Sequence, residues 1–146
     1  MLNLLIILEL VFATLLGAII GLEREVKGKN AGFQTYALVC LGSYLFTIVF
    51  YALYENFSGS AQVSFDPARI VQTIAIGVGF LGAGAIFKDT HRVQGLTTAA
   101  GLWVVAGIGM TVALHEYFMA LIVTFLVILI FVIFGMFEKT IIKKWK

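Results

Sequence analysis

Gly77-Val-Gly-Phe-Leu-Gly-Ala-Gly84 lies in a long, largely apolar run from Ile70 to Phe87, at a position where a membrane-spanning helix is expected. Glycine is a poor helix former in water, but in lipid its missing side chain lets two helix backbones approach closely. The spacing therefore predicts a helix that packs tightly against its neighbours. A second segment rich in small residues follows after a short charged loop, as Gly95-Leu-Thr-Thr-Ala-Ala-Gly101.

The composition is that of a membrane protein. Of the 146 residues, 61% are hydrophobic and only 12% are charged, and the mean hydropathy is +1.03. A soluble domain of this length cannot bury so much apolar surface. The formal net charge of +2 gives no reason to expect a nucleic-acid partner, and the single cysteine, Cys40, allows neither an internal disulfide nor a thiolate metal cluster. We expect one transmembrane domain over residues 1–146, surrounded by the lipid bilayer.

Hydropathy divides the chain into five segments that are each long enough to cross a hydrocarbon core of roughly 30 Å. They cover residues 2–22, 35–54, 69–87, 95–114 and 117–137. All Lys and Arg residues except Arg69 lie in the segments that five crossings place on one side, which are residues 23–34, 88–94 and 138–146. The positive-inside rule then predicts an N-terminus outside and a C-terminus in the cytoplasm. The expected fold is an all-α, polytopic membrane helix bundle.

Small residues recur every four positions on two of these helices, which predicts two close helix contacts. The first helix carries Ala13, Gly17 and Gly21, and the third carries Ala75, Gly79 and Ala83, with Gly82 beside them. The fifth helix has bulky apolar side chains on every face, as a helix exposed to lipid does. We therefore expect the first, third and fourth helices to form the core, with the fifth outside.

Charged residues near the first helix are candidates for function. Glu9 lies about two turns inside the first apolar segment, where an unpaired charge costs roughly a few kcal/mol. Either the helix starts late and Glu9 lies near the outer interface, or Glu9 is protonated and hydrogen-bonded within the bundle, or else it is a site for a proton or cation. Glu23 and Arg24 end the helix, and they form either an ion pair with a partner such as Lys88 or Asp89, or a ligand site.

Polar residues at the starts of the third and fourth helices are further candidates. Asp66 can cap the third helix and pair with Arg69, which shares a helix face with Gln72. Thr97 and Thr98 open the fourth helix, where a hydroxyl either caps the backbone or helps to bind an anion. Of these two roles for the threonines, capping is the one we expect.

Enzyme motifs are missing from the sequence. It contains no Walker A sequence, nucleophile elbow or His-Glu-x-x-His motif, and the glycine run does not follow a strand as a dinucleotide-binding loop does. His91 and His115 fall on opposite predicted sides of the membrane, so they cannot share a metal ion. We expect no enzymatic activity and no cofactor, and the sequence identifies no metal ligands.

Five motifs in the chain resemble the membrane domain of the MgtC/SapB family. In chain order they are Gly17-Ala-Ile-Ile-Gly-Leu-Glu-Arg-Glu25, Ala31-Gly-Phe-Gln-Thr35, Asp66-Pro-Ala-Arg-Ile70, Gly77-Val-Gly-Phe-Leu-Gly-Ala-Gly-Ala-Ile86 and Gly95-Leu-Thr-Thr-Ala-Ala100. The resemblance implies a multi-pass protein of the bacterial inner membrane, linked to magnesium homeostasis and, in some members, to virulence. The residues that match the family's polar signature positions are Glu23, Arg24, Asp66, Arg69, Thr97 and Thr98.

The chain departs from the family's pattern at two places. Many relatives have a basic residue where this chain has Gln34, which argues against an anion-binding role at that position. Members associated with pathogens also carry a soluble C-terminal domain, whereas this chain ends at Lys146, so we expect a membrane-only member.

We expect a protein of this type that acts through helix contacts, within a homo-oligomer or with another membrane protein. The alternative is a transporter or channel for Mg²⁺, H⁺, phosphate or another small charged solute. Between Gln72 and Lys88 the third helix carries only apolar and small residues, which predicts a dry centre and no magnesium flux. The sequence names neither the partner nor the solute nor the size of an oligomer.

Overall fold

A computed structural model describes residues 2–57, 65–89 and 92–137. Five α-helices dominate this part of the chain. They are α1 (Leu2–Val26), α2 (Phe33–Phe57), α3 (Pro67–Ala85), α4 (Leu96–Ala113) and α5 (Tyr117–Leu129), and α5 continues through a π-helical turn, Ile130–Phe134. All five are long and apolar enough to cross a membrane. The chain is a multi-pass membrane protein, and the prediction of five such helices is confirmed.

The start of α3 follows from local chemistry. The Asp66 side chain accepts a hydrogen bond from the backbone amide of Ala68 at 2.9 Å, and Pro67 occupies the first helical turn. Both residues satisfy or remove amides that would otherwise lack a partner at a helix start. The expected cap is confirmed, but among the described residues no ion pair joins Asp66 to Arg69.

A short antiparallel hairpin lies between α3 and α4, where the sequence predicts only a charged loop. Strand β1 (Phe87–Lys88) pairs with β2 (Val93–Gln94), with Phe87 opposite Gln94. The all-α expectation is therefore incomplete at this point. Gly95 follows with a φ of 89°, a left-handed conformation that favours glycine. A Cβ at this position would also collide with the carbonyl group of Ala85, so only glycine fits where the chain passes the end of α3.

The core of the bundle consists of α1, α2 and α4, and α2 makes its most extensive contacts with those two neighbours. The expectation that α3 takes this central position is wrong. Tyr36, Cys40 and Tyr44 of α2 are fully buried among side chains of α1 and α4. The fifth helix packs on α1 and α4 from outside, and α3 contacts mainly α4. The reason is that large side chains of α2 occupy the space between α1 and α4, so that α3 does not reach the centre.

α2 packs closely against the face of α1 that carries small residues. A Cβ added at Gly17 would lie 2.6 Å from the carbonyl oxygen of Tyr36 and 2.7 Å from the Cβ of Cys40. One at Gly21 would lie 2.7 Å from the carbonyl oxygen of Gly32. Ala13 on the same face is also fully buried. These positions admit no larger side chain without displacing the backbone of α2.

The face of α3 that packs is one residue away from the predicted one. Ile74, Val78 and Gly82 are the buried residues of α3, and Gly82 lies against Ala99 of α4. Gly79 and Ala83 are exposed and Ala75 is only partly buried. A Cβ added at Gly77, Gly79 or Gly84 would meet no described atom within 4 Å. Three of the four glycines in the opening stretch therefore face away from the protein, and the prediction of a tight contact at Ala75, Gly79 and Ala83 is wrong within one chain.

Candidate functional site

Two clusters of polar side chains lie at opposite ends of α1. The first, which we call the glutamate cluster, consists of Glu9, Tyr44, His115 and Tyr117. The second, the arginine cluster, consists of Glu23, Arg24, Lys27 and Thr98. Since α1 is continuous from Leu2 to Val26, Glu9 lies inside the helix and not before its start.

The glutamate cluster joins the first third of α1 to α2 and α5. Glu9 is only 3% exposed, and its Oε2 accepts a hydrogen bond from the hydroxyl of Tyr44 at 2.7 Å. Its Oε1 accepts a second bond from the hydroxyl of Tyr117 and lies 2.7 Å from Nδ1 of His115. The carboxyl group of Glu9 is thus hydrogen-bonded within the bundle, and it does not lie ahead of the start of α1.

His115 enters the cluster because of the turn between α4 and α5. Its φ is 62°, the one positive value among the described residues other than glycine, and its amide donates to the carbonyl oxygen of Val112 at 3.0 Å. This left-handed conformation is uncommon, although His adopts it more readily than most residues do. It turns the chain directly from α4 into Tyr117 at the start of α5. Sequence reasoning used His115 only to argue against a metal site and missed this contact.

The arginine cluster is built around a buried guanidinium. Arg24 is 4% exposed, its Nη2 donates to the hydroxyl of Thr98 across 3.4 Å, and its charged group lies 4.3 Å from the centre of the Phe131 ring. Tyr36 also contacts Thr98, because its hydroxyl donates a hydrogen bond to the carbonyl oxygen of that residue at 3.1 Å. A cation over an aromatic face is attracted to the ring, which compensates part of its lost hydration.

Glu23 obtains its counter-charges from its own helix. It forms ion pairs with Arg24, at 3.6 Å, and with Lys27 one turn later. The predicted partners Lys88 and Asp89 lie in and beside the hairpin, and the structure places the ion pairs elsewhere. Both carboxylate oxygens of Glu23 and Nε of Arg24 are buried; among the described residues, the two oxygens accept no hydrogen bond and Nε donates none. With two cations already beside it, Glu23 has no surplus negative charge for Mg²⁺.

The π-helical turn of α5 provides a further contact for this cluster. Lys27 Nζ donates to the carbonyl oxygen of Phe131 at 2.8 Å. A π-helical turn shifts the backbone bonding from i+4 to i+5 and so changes which carbonyl groups have a helical partner. Lys27 therefore ties the end of α1 to this turn, which no pattern in the sequence indicated.

Thr98 does not cap α4, so this prediction is wrong. The residue before the helix is Gly95, which has no side chain to bond the backbone. Thr98 is 2% exposed and faces Arg24, whereas Thr97 on the adjacent side is exposed. The two threonines therefore have different surroundings, and only Thr98 belongs to the arginine cluster.

The remaining candidates lie apart from both clusters. Asp66, Arg69 and Gln72 are exposed along the first turns of α3. Asp66 and Arg69 border a shallow open cleft between α2 and α3, whose walls are Phe50, Phe65, Ile70 and Thr73. Among the described residues, no three His, Cys, Asp or Glu side chains lie close enough to hold a metal ion.

Known proteins are similar to this chain in sequence. The sequence model of the MgtC family matches residues 10–140. The chain is 40% identical over 111 residues to YhiD of Escherichia coli strain K12, which is named as a candidate magnesium transporter, with 76% of this chain and 52% of YhiD covered.

Two further relatives are equally similar. The chain is 40% identical over 113 residues to SapB of Bacillus subtilis strain 168, with 77% of this chain and 49% of SapB covered. It is 40% identical over 122 residues to MgtC of Salmonella typhimurium strain 14028s, with 84% and 49% covered. The chain spans about half the length of these relatives, and no solved structure matches it. The match over residues 10–140 agrees with the five motifs, and the chain belongs to the MgtC family.

Proposed function

We propose that this protein serves magnesium homeostasis in the bacterial inner membrane by contacting other membrane proteins or further copies of itself, and that it is not an enzyme. The observation that carries the proposal is the packed centre of the bundle. Between the two polar clusters the interior is filled by fully buried side chains, among them Ile20, Cys40, Val105 and Ile108. A continuous polar path needs hydrogen-bonding groups at several depths, and a packed apolar layer interrupts it.

The orientation in the membrane is part of this proposal. The arginine cluster lies at the end of α1 that precedes the basic loop with Lys27 and Lys29, so the positive-inside rule puts it at the cytoplasmic face. The glutamate cluster then lies toward the outside, as do both ends of the segment between α2 and α3.

The surface that is available for a contact is the exposed side of α3. Only 17% of the membrane-spanning stretch of α3 is buried against the rest of the protein, which is the lowest share among the five helices. Gly77, Gly79 and Gly84 leave open space beside this helix. In lipid, a helix of a partner can approach such a face closely and gain dispersion contacts.

The alternative function is transport of an ion or small charged solute. One finding favours it, since the relative YhiD is named as a candidate magnesium transporter. A transporter would need the two clusters to become connected in another conformation, because the apolar layer separates them in this structure.

Matched glycine variants test the contact proposal. Gly79→Leu should leave the protein folded, because nothing described lies within 4 Å of its Cβ, but should abolish the complex isolated from native membranes. Gly82→Leu is the control that should impair folding itself, since its Cβ meets Ala99 at 3.3 Å. The measurement is the mass of the complex purified in mild detergent. A wild-type protein that is a monomer without partners, or a Gly79→Leu variant with an unchanged complex, would contradict the proposal.

A further inference from the structure

The hydrogen bonds of the glutamate cluster define where its protons lie. Oε1 of Glu9 and Nδ1 of His115 are 2.7 Å apart, and two such atoms at this distance need one proton between them. The hydroxyl of Tyr117 donates its only proton to Glu9, so its oxygen, 3.0 Å from Nδ1, can only accept there. With Glu9 ionised, Nδ1 is therefore the protonated nitrogen and donates to both oxygens.

Nε2, the second ring nitrogen of His115, lies on the exposed side of the glutamate cluster. His115 has 59% of its side chain exposed, and Nε2 forms no hydrogen bond with any residue that the structure describes. The residue lies in the turn between two helices that are long and apolar enough to cross a membrane, and such a turn is expected at the membrane boundary. The ring therefore connects a buried carboxylate on one side to an accessible proton acceptor on the other.

The charges around Glu9 are unbalanced when the imidazole is neutral. The side chains that face it are Tyr44 from α2, Tyr117 from α5 and His115 from the turn, and the two tyrosines are neutral donors. Glu116, next to His115, is exposed and adds negative charge. In the described part of the chain no Lys or Arg pairs with Glu9. A proton on Nε2 turns the buried carboxylate into half of a neutral ion pair, which lowers the cost of burying it.

We propose that Glu9 and His115 form a proton-binding site, in which Nε2 of His115 takes up the proton from water and Glu9 is the buried counter-charge. Tyr44 and Tyr117 hold the carboxylate in place by their hydrogen bonds. The site needs no pathway through the membrane, because the proton enters and leaves at the same end of the bundle. It is independent of whether α3 contacts a partner.

The test is a nitrogen NMR titration of the full chain in lipid nanodiscs. The protein has two histidines, so His91→Gln leaves His115 as the only imidazole. In this background we expect Nε2 to gain a proton as the pH falls while Nδ1 keeps its own throughout. Adding Glu9→Gln removes the counter-charge, so Nε2 should take up its proton only at a lower pH than in the His91→Gln protein. The matched control is Glu116→Gln, which removes a neighbouring carboxylate that does not contact the ring, and it should change that pH much less.

Two results would overturn the proposal. One is a Glu9→Gln variant that titrates like the Glu116→Gln control. The other can be read without any Glu9 variant, and so applies even if Glu9→Gln does not fold. It is a ring in the His91→Gln protein that at high pH carries its proton on Nε2 and leaves Nδ1 bare, because no proton would then link Nδ1 to an ionised Glu9.

Discussion

The contact between α1 and α2 at Gly17 can be tested with a single methyl group. In Gly17→Ala the new Cβ would lie 2.6 Å from the carbonyl oxygen of Tyr36, 2.7 Å from the Cβ of Cys40 and 3.1 Å from the Cα of Ala37. All three atoms belong to the backbone or the base of a side chain, so none can move without displacing α2. Extra carbon atoms in a packed interior typically cost about 1–3 kcal/mol.

The matched control is Gly42→Ala, a glycine of α2 whose Cβ would meet no described atom within 4 Å. Both variants gain the same helix propensity, up to about 1 kcal/mol on a scale measured in water. The difference between them therefore isolates the crowding at Gly17, and we expect Gly17→Ala to be less stable by about 1–3 kcal/mol. The assay is thermal or denaturant unfolding of the purified proteins in the same detergent. Equal stability of the two variants, or a more stable Gly17→Ala, would refute the close approach of α1 and α2.

Three further predictions concern charge, hydrogen bonding and orientation. Arg24→Ala leaves Glu23 buried with Lys27 as its remaining cation, so it should reduce the free energy of unfolding by about 3 kcal/mol. Lys29→Ala removes an exposed neighbouring charge and should change that free energy little, and similar losses in both variants would show that Arg24 is solvated. Tyr44→Phe removes one donor to buried Glu9 and should reduce the same free energy by about 1–3 kcal/mol, and no loss would mean that this hydrogen bond is absent. In intact cells an impermeant thiol reagent should label Glu55→Cys but not Lys29→Cys, against little background from buried Cys40, and the reverse pattern would invert the proposed orientation.

The parts of the fold that the sequence predicts are those set by local composition. The five helices follow from hydropathy, and the contact face of α1 follows from Ala13, Gly17 and Gly21, which lie four residues apart. The same rule failed on α3, where Gly79 is exposed and Gly82 packs against α4. Small residues allow a close approach, but their spacing does not say which of several possible faces meets a neighbour within the chain.

The candidate sites depend on contacts between residues far apart in the sequence. Glu9 was found because a carboxyl group inside an apolar helix is unusual, but its partner His115 lies 106 residues later. Arg24 was found through its motif, yet its contacts with Thr98 and Phe131 depend on how α4 and α5 pack. Neither the left-handed turn at His115 nor the π-helical turn in α5 has a local pattern that would have predicted it.

The most direct test of the central claim is magnesium flux through the purified wild-type protein in sealed proteoliposomes, measured with a dye for Mg²⁺ inside the vesicles. Because an apolar layer separates the glutamate cluster from the arginine cluster, we predict the same leak as in vesicles without protein. A flux that requires the protein and is abolished by Glu9→Gln or Glu23→Gln would contradict the account and establish transport through the bundle.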